Sequence, residues 1–231
     1  MPVEHHFASI TSLAPALAAS VAVDLRGALQ RRGCASLVVS GGRTPAPVLS
    51  ALSRHSLDWA KVWITLADER WVNEDHPDSN AALVRRCLLE HYAASANFVP
   101  LKNPAPTPAQ GEAACEAALA TVPRPFDLVL LGMGDDGHTA SLFPESSQLE
   151  RAFSLDSGRL CMAIEPVNAP HSRMSLTLPA LLTSRRIVLL FGGAAKWSVY
   201  QSALQPGPAT VLPVRAILHQ SQVPIEIFYH D

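Results

Sequence analysis

The sequence predicts an α/β protein built on a mostly parallel, Rossmann-like sheet with helices on both faces. Three observations carry this. Short apolar runs alternate along the chain with helix-patterned stretches, the pattern of strands joined by crossover helices. Hydrophobic residues make up 48% of the 231 residues and charged ones 16%, which excludes a disordered or coiled-coil chain and suits strands covered on both faces. Polar or glycine-rich segments follow apolar runs at residues 40–44, 68–70, 132–138 and 192–196, and ligands of parallel sheets bind beyond the carboxyl ends of their strands.

The elements follow in order. Leu13, Leu17, Val21, Leu25 and Leu29 recur every four residues, one apolar stripe of an amphipathic helix. Residues 35–39 read as a strand, followed by a Gly41-Gly42 turn and a helix through Leu52; residues 62–66 are the next strand. After a polar loop, a helix is expected from about Ser79 to His91, with Leu83, Cys87 and His91 on one face and Asp78 or Ser79 as its cap. A proline-rich connector at 103–108 leads to a helix near 110–120 and a strand at 126–131. Residues 160–164, 173–177, 187–191 and 225–229 read as further strands, with a helix through Lys196 and Tyr200. No repeat or low-complexity tract divides the chain, so one domain is expected over 1–231.

Composition also bounds function. A formal net charge of -2 gives no basic field for nucleic acid. No run is judged long and apolar enough to span a membrane. The apolar stretch 13–23 lacks the basic segment of a signal peptide, with Glu4 before it. Cys34, Cys87, Cys115 and Cys161 form no C-x-x-C pair and read as thiols in a reducing compartment. A cytoplasmic protein, monomeric or a small homo-oligomer, is expected.

The segment Gly132-Met133-Gly134-Asp135-Asp136-Gly137-His138-Thr139-Ala140-Ser141-Leu142-Phe143-Pro144 is the richest in chemistry. Its glycines permit a sharp turn close to a ligand, with two carboxylates and a histidine inside. It matches G-x-G-x-x-G, yet Asp135 and Asp136 would repel a dinucleotide pyrophosphate. Gly41, Gly42, Arg43, Thr44 and Pro45 join a strand to a helix, where free N–H groups and the dipole favour an anion. Arg70, after Asp68 and Glu69, suits an anion or a polarised carbonyl. Arg173 and Lys196 offer cations to a buried phosphate. Asp75, His76 and Asp78 lack a recognised ligand spacing and are read as loop and cap residues, without a metal. His5, His6, His55, His91, His171, His219 and His230 are read as structural or solvated. There is no G-x-S-x-G elbow.

With these segments in order, the chain resembles the bacterial-type 6-phosphogluconolactonases of the glucosamine-6-phosphate isomerase/6-phosphogluconolactonase family. The likeness covers nearly the whole chain. It rests on residues 40–45, on Asp68-Glu69-Arg70-Trp71-Val72 with His76, Ser79 and Asn80, and above all on the run from Gly132 to Pro144. Arg173 to Thr177, Lys196 and Leu212-Pro213-Val214 continue it. The resemblance implies hydrolysis of 6-phospho-D-glucono-1,5-lactone in the oxidative pentose phosphate pathway, without metal or organic cofactor, on a fold related to glucosamine-6-phosphate deaminase. It implies His138 as general base with Asp136 in the same motif. Arg70 polarises the lactone carbonyl beside Asp68, and the phosphate lies among Gly41, Gly42, Thr44, Arg173 and Lys196. Arg43 stands where the family often has a smaller polar residue. Two alternatives are a glucosamine-6-phosphate deaminase-like isomerase and a non-catalytic phosphosugar-sensing domain. Arg70 and the Thr139–Pro144 continuation speak against the first; the lack of an evident DNA-binding segment speaks against the second.

Overall fold

The computed structural model describes residues 2–231. In chain order the elements are β1 (Val3–Phe7), α1 (Ile10–Arg32), β2 (Ala35–Val39), α2 (Pro45–Leu52), β3 (Val62–Leu66), β4 (Asp68–Arg70), α3 (Asn80–Cys87), β5 (Asn97–Val99) and α4 (Pro108–Leu119). Then come β6 (Leu128–Gly132), α5 (Leu149–Phe153), β7 (Cys161–Ile164), β8 (Arg173–Leu176), α6 (Leu178–Leu182), β9 (Ile187–Gly192), α7 (Ala194–Leu204), α8 (Arg215–Leu218) and β10 (Ile225–His230).

Seven strands form one sheet in the order β1-β10-β9-β6-β2-β3-β5, every neighbouring pair parallel. The chain winds outward from β2 through β3 to β5, then returns to β6 on the other side of β2. The switch point therefore lies between β2 and β6, and the loops leaving these two strands border the crevice where ligands of such sheets bind. β2 is buried at all five residues, as expected of a central parallel strand covered on both faces.

α1 begins at Ser9, whose hydroxyl accepts from the Ser12 N–H at 3.3 Å, and ends at Gly33 with φ 72°, a left-handed cap open to glycine. Leu13, Leu17, Val21 and Leu25 are fully buried, as their spacing predicts. One correction follows. α1 spans 23 residues with a window of mean hydropathy 1.3, enough by length and composition to cross a membrane. Its Leu and Ala stripe is instead packed in the hydrophobic core.

Two further expectations change. α3 stops at Cys87, and its buried apolar residues are Ala81 and Val84, with Leu88 just beyond. His91 is exposed at φ 51° in a 3₁₀ turn. Second, β4, β8 and β7 form a separate three-stranded antiparallel sheet. The chain passes from β3 to β4 through Ala67 alone, whose N–H still bonds Val39 of the large sheet at 2.9 Å. Asp68 and Arg70 are thus carried away from the large sheet by the small one.

Candidate active site

Residues leaving β2, β6 and β9, together with β4, line a cleft of about 340 Å³. Its walls include Gly42, Arg43, Asp68, Arg70, His138 and Lys196. The convergence of four segments expected from the sequence is therefore realised, and Gly41 and Thr44 line the same cleft.

The His138 loop is built by its glycines. Gly137 takes φ 76°, in the region that favours glycine. The Gly134 N–H bonds the His138 carbonyl at 2.9 Å, and the Gly137 N–H bonds Gly134 at 3.1 Å. Gly134 faces the imidazole so closely that a Cβ there would overlap the ring. Asp136 Oδ1 lies 2.6 Å from His138 Nδ1 and accepts from the His138 N–H at 3.1 Å. A carboxylate only accepts, so Nδ1 carries the proton and Nε2 presents a lone pair. Burial opposes ionisation of Asp136, but the hydrogen bonds and the nearby imidazole outweigh it and hold its carboxyl below the usual range. The Phe143 ring lies against the imidazole, centroids 4.3 Å apart, fixing its other face. Asp136 itself borders an adjoining hollow of about 470 Å³, with His138 shared between the two.

Across the cleft, Asp68 is buried, and its Oδ2 accepts from Ser141 Oγ at 2.5 Å. Asn80 Nδ2 donates to the Asp68 carbonyl at 2.8 Å. Gly41 has no room for a side chain because Asn80 occupies that space. Glu69 is buried beneath the start of α3 and accepts from the Arg70, Asn80 and Ala81 N–H groups at 2.7–2.8 Å. Burial pushes its pKa up, against the lowering by those donors. Glu69 is therefore an anchor for the Arg70 backbone. The Arg70 side chain donates from Nη1 to the Asp78 carbonyl at 2.5 Å, leaving its remaining N–H groups for the cleft.

Thr44 precedes α2 but makes no capping bond with its hydroxyl. Ser40 Oγ, deep in the same cleft, has no partner among the described residues. Lys196 lies in the first turn of α7 behind Gly193 at φ 90°.

Arg173 departs from expectation. It is 5% exposed and does not line the cleft. Its Nη2 is committed to the Pro170 carbonyl at 2.9 Å, and its guanidinium lies over the Phe143 ring at 5.9 Å. Desolvation lowers its pKa. The cause is register: β8 pairs Arg173 with Arg70 in the small sheet and turns it under Phe143. The motifs included Ser40, Asn80 and Phe143, but sequence reasoning gave none of them a role of its own in the site. Their positions gave the signal: Ser40 before the double glycine, Asn80 after the helix cap, and Phe143 within the run from Gly132 to Pro144. Among the described residues, one group has the donors for a metal ion: His76, Asp78 and His171.

Comparison with known proteins adds the lineage. The model of the glucosamine-6-phosphate isomerases/6-phosphogluconolactonase family matches residues 8–225. A 6-phosphogluconolactonase of Pseudomonas putida is 43% identical over 97% of this chain and 91% of its own. One from Neisseria meningitidis is 39% identical over all of both chains. The crystal structure of a 6-phosphogluconolactonase from Shewanella baltica has a TM-score of 0.98 at 44% identity, covering 100% of this chain and 98% of its own. A monomeric glucosamine-6-phosphate deaminase shares the fold, with a TM-score of 0.79 at 18% identity over 98% and 97% of the two chains.

Proposed function

The chain belongs to the glucosamine-6-phosphate isomerase/6-phosphogluconolactonase family, and from that membership we propose that it hydrolyses 6-phospho-D-glucono-1,5-lactone to 6-phosphogluconate, in the oxidative pentose phosphate pathway. The single observation that carries the chemistry is the 2.6 Å contact of His138 Nδ1 with Asp136 in a cleft that also holds Arg43, Arg70 and Lys196.

In this reading the phosphate lies at the N-terminus of α2, against the main-chain N–H groups of the Gly41-Gly42-Arg43 turn and the free Thr44 hydroxyl. Arg43 and Lys196 add charge-assisted contacts. The phosphate does not react; it holds the lactone so that C1 faces His138. Nε2 takes a proton from water as the water oxygen bonds to C1. Asp136 steadies the imidazolium that forms. The carbonyl oxygen becomes an oxyanion opposite Arg70. Collapse of the tetrahedral intermediate breaks the bond from C1 to the ring oxygen, and the imidazolium returns its proton to that oxygen. No redox or Lewis-acid step is required. Asp68, fixed by Ser141 and Asn80, is an acceptor for sugar hydroxyls. Arg173 acts from behind, by seating Phe143 against His138.

The test follows proton release when purified protein meets freshly made 6-phosphogluconolactone. A saturable rate above spontaneous hydrolysis is expected; release at the spontaneous rate refutes the reading.

A further inference from the structure

We propose that His76, Asp78 and His171 form a binding site for a zinc-type divalent cation, beside the cleft and outside the hydrolytic machinery. The three come from two segments far apart in sequence. His76 and Asp78 lie in the loop before α3, and His171 lies in the turn before β8. One ligand atom from each falls within 4.8 Å of the others. His171 Nε2 is 3.1 Å from Asp78 Oδ2, and His76 Nδ1 is 3.9 Å from the same oxygen. A tetrahedral zinc ion, with bonds of about 2.0–2.2 Å, spaces neighbouring donor atoms about 3.3–3.5 Å apart. These two separations bracket that value and the third, between the imidazoles, is within 4.8 Å, so side-chain rotation is needed to close the site on an ion.

The donor chemistry selects the ion. Two imidazole nitrogens and one carboxylate suit zinc and its neighbours, whereas magnesium and calcium take oxygen donors. His76 Nδ1 accepts the Asp78 N–H at 3.1 Å, so this nitrogen carries a lone pair and not a proton. Arg70 bonds the main-chain carbonyl of Asp78 and not its carboxylate, and the ion takes the place of the proton that His171 Nε2 donates to Asp78 Oδ2. The three side chains are 29–50% exposed, which leaves a path of entry and a fourth position for water. Bound there, the ion clasps the loop before α3 to the turn before β8.

The site is tested with tag-free protein stripped by a chelator, titrated with zinc in a calorimeter and with cobalt by visible absorption. His171 has φ 68°, a conformation that asparagine also tolerates, so His171→Asn removes the ligand without straining the turn. Asp78→Asn is the second variant, and circular dichroism of both verifies folding. One zinc per chain is expected in the wild type, with affinity falling about tenfold or more in either variant. The cobalt spectrum should show tetrahedral bands in the wild type alone. Absence of saturable zinc binding in the wild type overturns the site. So does undiminished binding in both folded variants, which would assign the zinc to other histidines.

Discussion

Gly134 gives the sharpest test of the His138 geometry. A single methyl group placed there overlaps the imidazole and comes within 2.7 Å of Asp136 Oδ1. Gly134 is not among the positive-φ residues, so alanine brings no left-handed backbone strain, and the cost falls on the ring and on its Asp136 partner. To reach an ordinary carbon contact of about 3.5 Å the imidazole must retreat by about 1 Å or more. Phe143 packs against the ring, so that movement breaks the 2.6 Å contact with Asp136 and misaims Nε2. A misplacement of about 1 Å at a reacting group costs on the order of 100-fold in rate. Gly134→Ala should therefore lower kcat about 100-fold in the proton-release assay while binding of 6-phosphogluconate stays near wild type. The double variant with His138→Ala isolates the clash: adding Gly134→Ala to a chain already lacking the ring should cost little stability and no further activity. Wild-type turnover in a folded Gly134→Ala protein would refute the placement of His138 as the base.

Other substitutions separate binding from chemistry. Lys196→Ala should raise KM about 10- to 150-fold with kcat nearly unchanged, as one lost charge-assisted phosphate contact predicts; Arg173→Ala should instead lower kcat, because Phe143 loses its support, and an effect on KM alone would restore Arg173 to the phosphate site. Asp136 has its folded pKa depressed below 3.8, so the stability it gains from His138 is present above that pH and lost as pH falls through the lower folded value. Acid titration of Asp136→Asn should accordingly lose the part of the unfolding curve below pH 4 that depends on this carboxylate; an unchanged curve would refute that linkage. Exhaustive chelation should leave turnover unchanged, and loss restored by one added metal would contradict the metal-free mechanism. Glucosamine 6-phosphate should release no ammonia above background, and steady release at a rate comparable to lactone hydrolysis would move the chain to the deaminase branch of its family.

What was legible in the sequence follows the range of each physical signal. β2, β6 and β9 were readable because their burial on both faces demands unbroken apolar runs. The His138 loop was readable because its turn is made by its own glycines, and its Asp136 partner is two residues away. β1 was not: as an edge strand of sequence Val-Glu-His-His-Phe it is largely exposed and is specified by pairing with β10 at the far end of the chain. β4 spans three residues, too few to show a period, and exists because β8 pairs with it. That same pairing explains why Arg173 lies off the cleft wall. Its charge suggested the cleft, whereas the pairing of β8 with the three-residue β4, which no local pattern announces, turned it under Phe143. His171 belongs to this class too, since its partner Asp78 is brought to it only when β4 and β8 join. The joining of β4 to β8 is thus the least legible step, since β7 and β8 read as strands on their own while β4 does not. It seats Arg70 on one strand and Arg173 on its neighbour. It also draws the loop before α3 against the turn before β8, so a fault in its register should disturb oxyanion contact, imidazole support and the proposed cation clasp together.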